Sequence, residues 1–175
     1  MAVTATERVP IGSEQYSEVL AFLYEEARLL DSQRLPEWLE TMTPDVEYHM
    51  PQRLSRMPKD GPGFEAELEY FSENHSSLRT RVARLQTEQA WAEQPASRTR
   101  HFVTNAVVER TPDGEYIARS NFLVTRTRAD LPYDLFTGER EDTLRRDESG
   151  MLRLARRTIW FDQTVLRAYN LSIFF

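Results

Sequence analysis

The apolar positions in the first part of the chain recur at helical intervals. From Ser13, whose hydroxyl suits an N-cap, they run Tyr16, Val19, Leu20, Leu23, Ala27 and Leu30, which predicts an amphipathic helix with one buried stripe. A short second helix is expected next, with Pro36 in its first turn and Trp38, Leu39 and Met42 facing inward. Val46, Tyr48 and Met50 then alternate as a short strand that Pro51 stops. Residues 51–63, with Gln52, Arg53, Ser55, Arg56, Pro58, Lys59, Asp60, Gly61, Pro62 and Gly63, read as a polar loop. Beyond it, Leu68, Phe71, His75, Leu78, Val82 and Leu85 are spaced by threes and fours, predicting a longer helix. Glu65, Glu67, Glu69 and Glu73 would then sit near the positive end of its dipole.

After Ser97 the period changes to two. Strands are expected over 98–110, 115–128, 134–146 and 151–168. Pro112-Asp113-Gly114 and Ser149-Gly150 mark two of the turns between them. Helices first and an antiparallel meander last is an α+β pattern, with the sheet curled around the helices and one face left wet. Residues 1–12 read as a loose lead-in, and 13–175 as a single domain.

Composition narrows the function. Apolar residues make up 40% of the 175 and charged residues 29%, which is a globular rather than a disordered profile. The net charge of −6 argues against nucleic acid, because phosphate binding needs a basic face. No apolar run approaches a membrane span. The first eight residues lack the basic-then-apolar layout of a secretion signal, so a cytoplasmic location is expected. The chain has no cysteine, which removes thiol nucleophiles and cysteine-ligated clusters, a Rieske centre among them.

Three histidines remain as candidate chemistry. His49, His75 and His101 fall on a strand, a helix and another strand, and only Glu47 beside His49 makes a suggestive pair. No metal site is expected. His75, between Phe71 and Leu78, reads as a core histidine. His101, Asn105 and Asn121 are spaced to line a pocket of the kind in which acid–base enzymes work. Arg140, Asp142, Arg145, Arg146, Arg153, Arg156 and Arg157 interleave with Leu144, Leu152, Leu154 and Ile159. They suit either a solvated face laced with ion pairs or an Arg-rich subunit contact. Trp91 fits core or interface, and Trp160, beside Ile159 and Phe161, fits core. The run Leu171-Ser172-Ile173-Phe174-Phe175 is too apolar to lie in water, so it either completes the sheet or packs near a subunit interface.

Several segments together resemble one family. They are Glu26-Ala27-Arg28-Leu29-Leu30-Asp31, Tyr48-His49-Met50-Pro51, the stretch from Ala90 through Trp91 and Pro95-Ala96-Ser97-Arg98-Thr99-Arg100-His101 to Asn105, Phe136-Thr137-Gly138-Glu139-Arg140, and Asn170 to Phe175. In this order, from about Tyr16 onward, they resemble the small (β) subunits of Rieske-type aromatic-ring-hydroxylating dioxygenases, nearest in flavour to the biphenyl, toluene or phenylpropionate type. The resemblance implies a cone-shaped, cystatin-like (nuclear-transport-factor-2-like) fold, with N-terminal helices packed on a curved, mainly antiparallel sheet. It implies a non-catalytic structural subunit that trimerises and supports a large (α) subunit in an assembly of three large and three small chains. The large subunit would hold the Rieske [2Fe–2S] cluster and the mononuclear Fe(II). No catalytic or cofactor-binding residue is then expected in this chain. The candidates for the subunit interface are Trp91, Arg98, Arg100, His101, Arg140, Arg156, Phe174 and Phe175. The alternative is a stand-alone isomerase- or dehydratase-like enzyme of the same cone fold.

Overall fold

The computed structural model describes residues 6–55, 57, 59, 63–87, 96–129, 132–166, 168 and 170–175. Its elements run β1 (Glu7–Arg8), α1 (Glu14–Asp31), α2 (Leu35–Leu39), β2 (Met42–Arg53), β3 (Phe64–Asn74), α3 (His75–Leu85), β4 (Arg98–Arg110), β5 (Tyr116–Thr127), β6 (Asp134–Arg146) and β7 (Leu152–Phe161). The strands form one sheet in the order β1-β4-β5-β6-β7-β2-β3. Every pairing is antiparallel except β2 with β7. The inner face carries Val124, Phe122, Ala118, Phe136, Leu144, Ile159 and Phe161, all buried, and α1 lies against β4. This is the expected α+β arrangement of helices on a mainly antiparallel sheet.

The first helix follows its periodicity. Ser13 caps it by accepting the Tyr16 N–H at 3.2 Å, and Val19, Leu23, Ala27, Leu29 and Leu30 are buried. Pro36 begins α2, and Trp38 is fully buried. Four features depart from the sequence-based expectations. The lead-in is not wholly loose, because Glu7 and Arg8 pair with Arg110 and Glu109 and the Val9 N–H donates to the Val108 carbonyl. Pro51 does not stop β2, which continues to Arg53 with its register against β3 shifted at that residue. A bulge leaves Pro51 without a ladder bond to donate, which is how a strand tolerates it.

The expected long helix is a strand followed by a shorter helix. Phe64–Asn74 pairs with β2, and only His75–Leu85 is helical. Asn74 makes the break: its side chain accepts the Ser76 and Ser77 N–H groups, and the Ser77 hydroxyl accepts the Asn74 N–H, a capping box. His75 is therefore the first helical residue, half-buried, rather than a core position. Glu69 and Glu73 do not line a helix dipole; they reach His49 and Arg81. At the far end, β7 stops at Phe161, seven residues short of the expected 168. Trp160 lies half-buried, because Ile159 and Phe161 take the inner positions on either side of it. Opposite it, Gly138 is required by close approach: a Cβ there would lie 2.1 Å from the Trp160 carbonyl oxygen.

Candidate functional site: the interior of the cone

Four charged side chains meet where α1 crosses the sheet. Glu26 comes from α1, Arg140 and Asp142 from β6, and Arg157 from β7, and each is at most 2% exposed. The Arg157 guanidinium donates to Glu26 at 2.5 and 2.7 Å and to Asp142 at 2.6 and 2.9 Å. Arg140 donates to Glu26 at 3.1 Å, and its Nε lies 3.2 Å from Asp142. The Trp38 indole N–H adds a bond to Glu26 at 3.0 Å. Two cations face two anions, so the cluster is neutral and its burial is tolerable. Burial alone would raise the Glu26 carboxyl; the charges of Arg157 and Arg140 outweigh it and hold the group below the usual carboxylate range. Arg157, buried between two carboxylates, is raised well above its ordinary value. Burial pushes the nearby Tyr48 hydroxyl up.

The sequence placed these arginines on a solvated face or a subunit contact, and the structure corrects this for Arg140 and Arg157. Arg140 and Asp142 share strand parity with the buried Leu144. On β7, even alternation from Leu152 and Leu154 would bring Arg156 inward. A register shift opposite Thr143 and Leu144 inserts one residue, so Arg157 turns in and Arg156 turns out. The remaining arginines form ion pairs nearer the surface: Arg145 with Asp45 and Glu115, Arg146 with Glu18, and Arg156 with Glu47 are exposed, and Arg153 with Asp147 is half-buried. Glu26 was the residue the sequence concealed. Its signal was an acid at a stripe position, four residues before Leu30 and three after Leu23.

The last six residues fill the remaining space. The Phe175 ring stands 4.8 Å from Phe161, 5.4 Å from Phe136 and 5.9 Å from Phe122, centroid to centroid. Phe174 packs 4.3 Å from Trp38. The Phe175 carbonyl accepts from Tyr48 and from Arg157, both at 2.7 Å. His101 joins this region to α1. Its Nδ1 is 2.6 Å from Asp31 Oδ1 and its Nε2 3.0 Å from the Phe174 carbonyl oxygen. Both partners are acceptors, so the ring holds both bonds only when it carries a proton on each nitrogen. Burial would raise the Asp31 carboxyl, but the His101 bonds hold it low. A cleft of about 50 Å³ beside His101 is lined by Leu30, Gln33, Thr99 and Phe174.

The eight interface candidates therefore separate. Trp91 lies outside the described residues. Arg98, Arg100 and Arg156 are exposed. His101, Arg140, Phe174 and Phe175 have side chains buried in this chain's own interior, because each completes a bond or an aromatic contact there. The pocket of His101, Asn105 and Asn121 does not form. Asn105 and Asn121 are exposed; Asn105 takes φ of 55° in a bulge that turns it away from His101's side of β4. Glu47 and His49 also part company: Glu47 holds Arg156, and His49 lies 3.0 Å from Glu69. Among the described residues, no three His, Asp or Glu side chains are grouped to hold a metal.

Comparison with known proteins shows the family. The family model described as the ring hydroxylating beta subunit fits residues 25–168. The chain belongs to the ring-hydroxylating dioxygenase β-subunit family. It is 38% identical over 177 residues to the chlorobenzene dioxygenase subunit beta of Cupriavidus sp. (strain PS12), covering 95% of this chain and 91% of that one. Identity is also 38%, over 176 residues, to the biphenyl 2,3-dioxygenase subunit beta of Rhodococcus jostii (strain RHA1), covering 97% and 94%. Among solved structures, a chain of naphthalene 1,2-dioxygenase with indole bound in the active site superposes with a TM-score of 0.82 at 28% identity, covering 91% of this chain and 84% of that one. The cystatin-like cone expected from the sequence is the fold of this β subunit.

Proposed function

We propose that this β subunit is a structural partner, which organises a large catalytic subunit and supplies no reacting group itself. One observation carries the proposal. The interior between the helices and the sheet is filled by Trp38, Tyr48, Phe161, Phe175 and the neutral Glu26–Arg140–Asp142–Arg157 cluster. Filling that space rigidifies the cone, which is the property a scaffold needs. The large subunit would carry the Rieske [2Fe–2S] cluster and mononuclear Fe(II), with O₂ added to an aromatic ring there. Three large and three small chains are the proposed assembly, with Arg98, Arg100 and Arg156 the surface residues proposed to face a neighbouring chain. A cytoplasmic location belongs to the same proposal; among the described residues, no helix is long and apolar enough to cross a membrane.

The test is a tagged purification from the native host, reading native mass, co-purifying chains and visible absorbance. A larger chain in equal amount, bringing iron–sulfur colour, is the expected result. His49→Gln should then leave the turnover of the assembled enzyme within about twofold, since His49 is half-buried against Glu69 and Gln can keep a hydrogen bond there. A colourless oligomer of this chain alone would end the scaffold proposal.

A further inference from the structure

Residues 170–172 are half-buried and Ile173–Phe175 buried, without belonging to the sheet. They form no strand or helix, and no backbone–backbone hydrogen bond among the described residues ties them to the rest of the chain. Their main chain is gripped by side chains instead. Arg126 from β5 donates to the Asn170 carbonyl at 2.9 Å and to its side-chain oxygen at 2.8 Å. Arg81 from α3 donates to the Leu171 carbonyl at 3.1 Å and lies 4.9 Å from the Phe174 ring centroid. His101 from β4 holds the Phe174 carbonyl. Tyr48 from β2 both accepts the Phe175 N–H at 3.0 Å and donates to the Phe175 carbonyl, where Arg157 from β7 joins it.

Five elements thus each send a polar side chain to one short peptide, and two aromatic side chains fill apolar sockets beside them. That is how a protein holds a ligand: convergent polar groups fix the main chain, and pockets select the side chains. The sockets differ in kind. Phe174 stacks on Trp38, whereas Phe175 enters a box of three phenylalanines. In this segment side chains from five elements meet the main chain, where a sheet strand would be met by its neighbour's main chain.

We infer that the cone interior is a peptide-binding site that takes a short segment with two adjacent aromatic residues, and that Asn170–Phe175 occupies it as a docked ligand in cis. The inference rests on the proposed scaffold reading through Phe175, which fills the cone interior there; with the segment seated, the interior is filled as that role requires. It can open without dismantling the sheet, since release of the segment breaks side-chain bonds and no strand pairing.

Two measurements on the full chain test this. In the first, hydrogen exchange of the intact protein is followed amide by amide. The Phe175 N–H should exchange through a local opening, at least tenfold faster than the core amides of β5 and β6. In the second, a protease site is placed in the stretch Gln163–Leu166, where Val165 is 71% exposed. The folded protein is cleaved, then offered a fluorescent peptide Asn-Leu-Ser-Ile-Phe-Phe. Saturable uptake at one peptide per chain is expected, with at least tenfold weaker binding when the final Phe of the peptide is replaced by Ala. Arg81→Ala in the cleaved protein should weaken uptake several-fold. If Phe175 exchanges only together with β5, or if the cleaved protein unfolds or takes up no labelled peptide, the segment is framework and the inference is wrong.

Discussion

Glu26 shows how much one side chain decides here. It receives hydrogen bonds from Arg157, Arg140 and Trp38, three residues on three elements, with 1% of its surface exposed. Glu26→Ala would leave two buried guanidinium groups facing one carboxylate, and a buried pair broken from one side costs about 3–5 kcal/mol. Urea unfolding at neutral pH should register that loss. The same residue sets an acid limit. Its carboxyl is lowered on folding from 4.5 to about 2, so the unfolded chain binds the proton first as pH falls. The stabilisation is complete above about 4.5 and drains away as pH falls toward about 2. Urea midpoints measured across that interval should fall more steeply for the parent chain than for Glu26→Gln, which cannot titrate. Parallel slopes would show that Glu26 does not govern acid stability. The sequence displayed Glu26 on the apolar stripe, yet an isolated acid there has no visible partner. Its charged partners lie 114 and 131 residues away, and the inward turn of Arg157 depends on a bulge.

At the scale of elements, the first two helices and the four strands from 98 onward were legible because their periods are clean and their turns are marked. Thr111 to Glu115 closes the β4–β5 turn around Gly114 at φ +86°, and Asp147 to Met151 closes the β6–β7 turn around Gly150 at φ +85°. The segment 64–85 reads as one helix in the sequence because a strand and a helix abut with no loop between them. Leu68 and Phe71 then look like the start of the stripe that Leu78 and Val82 continue. The decisive signal was Asn74 with Ser77 three residues on. Asn74→Ala should remove two bonds to helix N–H groups and lose about 1 kcal/mol in chemical denaturation. No change would mean that pairing with β2, rather than the cap, fixes the boundary. Exposed ion pairs such as Arg156–Glu47 contribute far less than the buried ones, because water screens both partners.

Across the whole molecule, Trp38, Glu26, Arg157, Tyr48 and Phe175 make one connected path from α2 through α1 and the sheet to the final residue. Groups in one network do not contribute additively. Trp38→Phe removes the bond to Glu26 and Tyr48→Phe removes the bonds to Phe175, so a double-mutant cycle should give a coupling of about 0.5–3 kcal/mol. Additive losses would mean that the aromatic contacts, not the polar path, join these elements. The sequence by itself determined the class of fold, the helix stripes, the strand meander and the family, because these rest on local periodicity and on short motifs in fixed order. The tertiary structure alone decided which arginines are core, where Pro51 and Asn105 bend their strands, and what the apolar last residues pack against. A bulge exchanges the two faces of a strand without changing its composition, and a buried ion finds its counter-ion across the fold; neither event leaves a periodic trace in the chain.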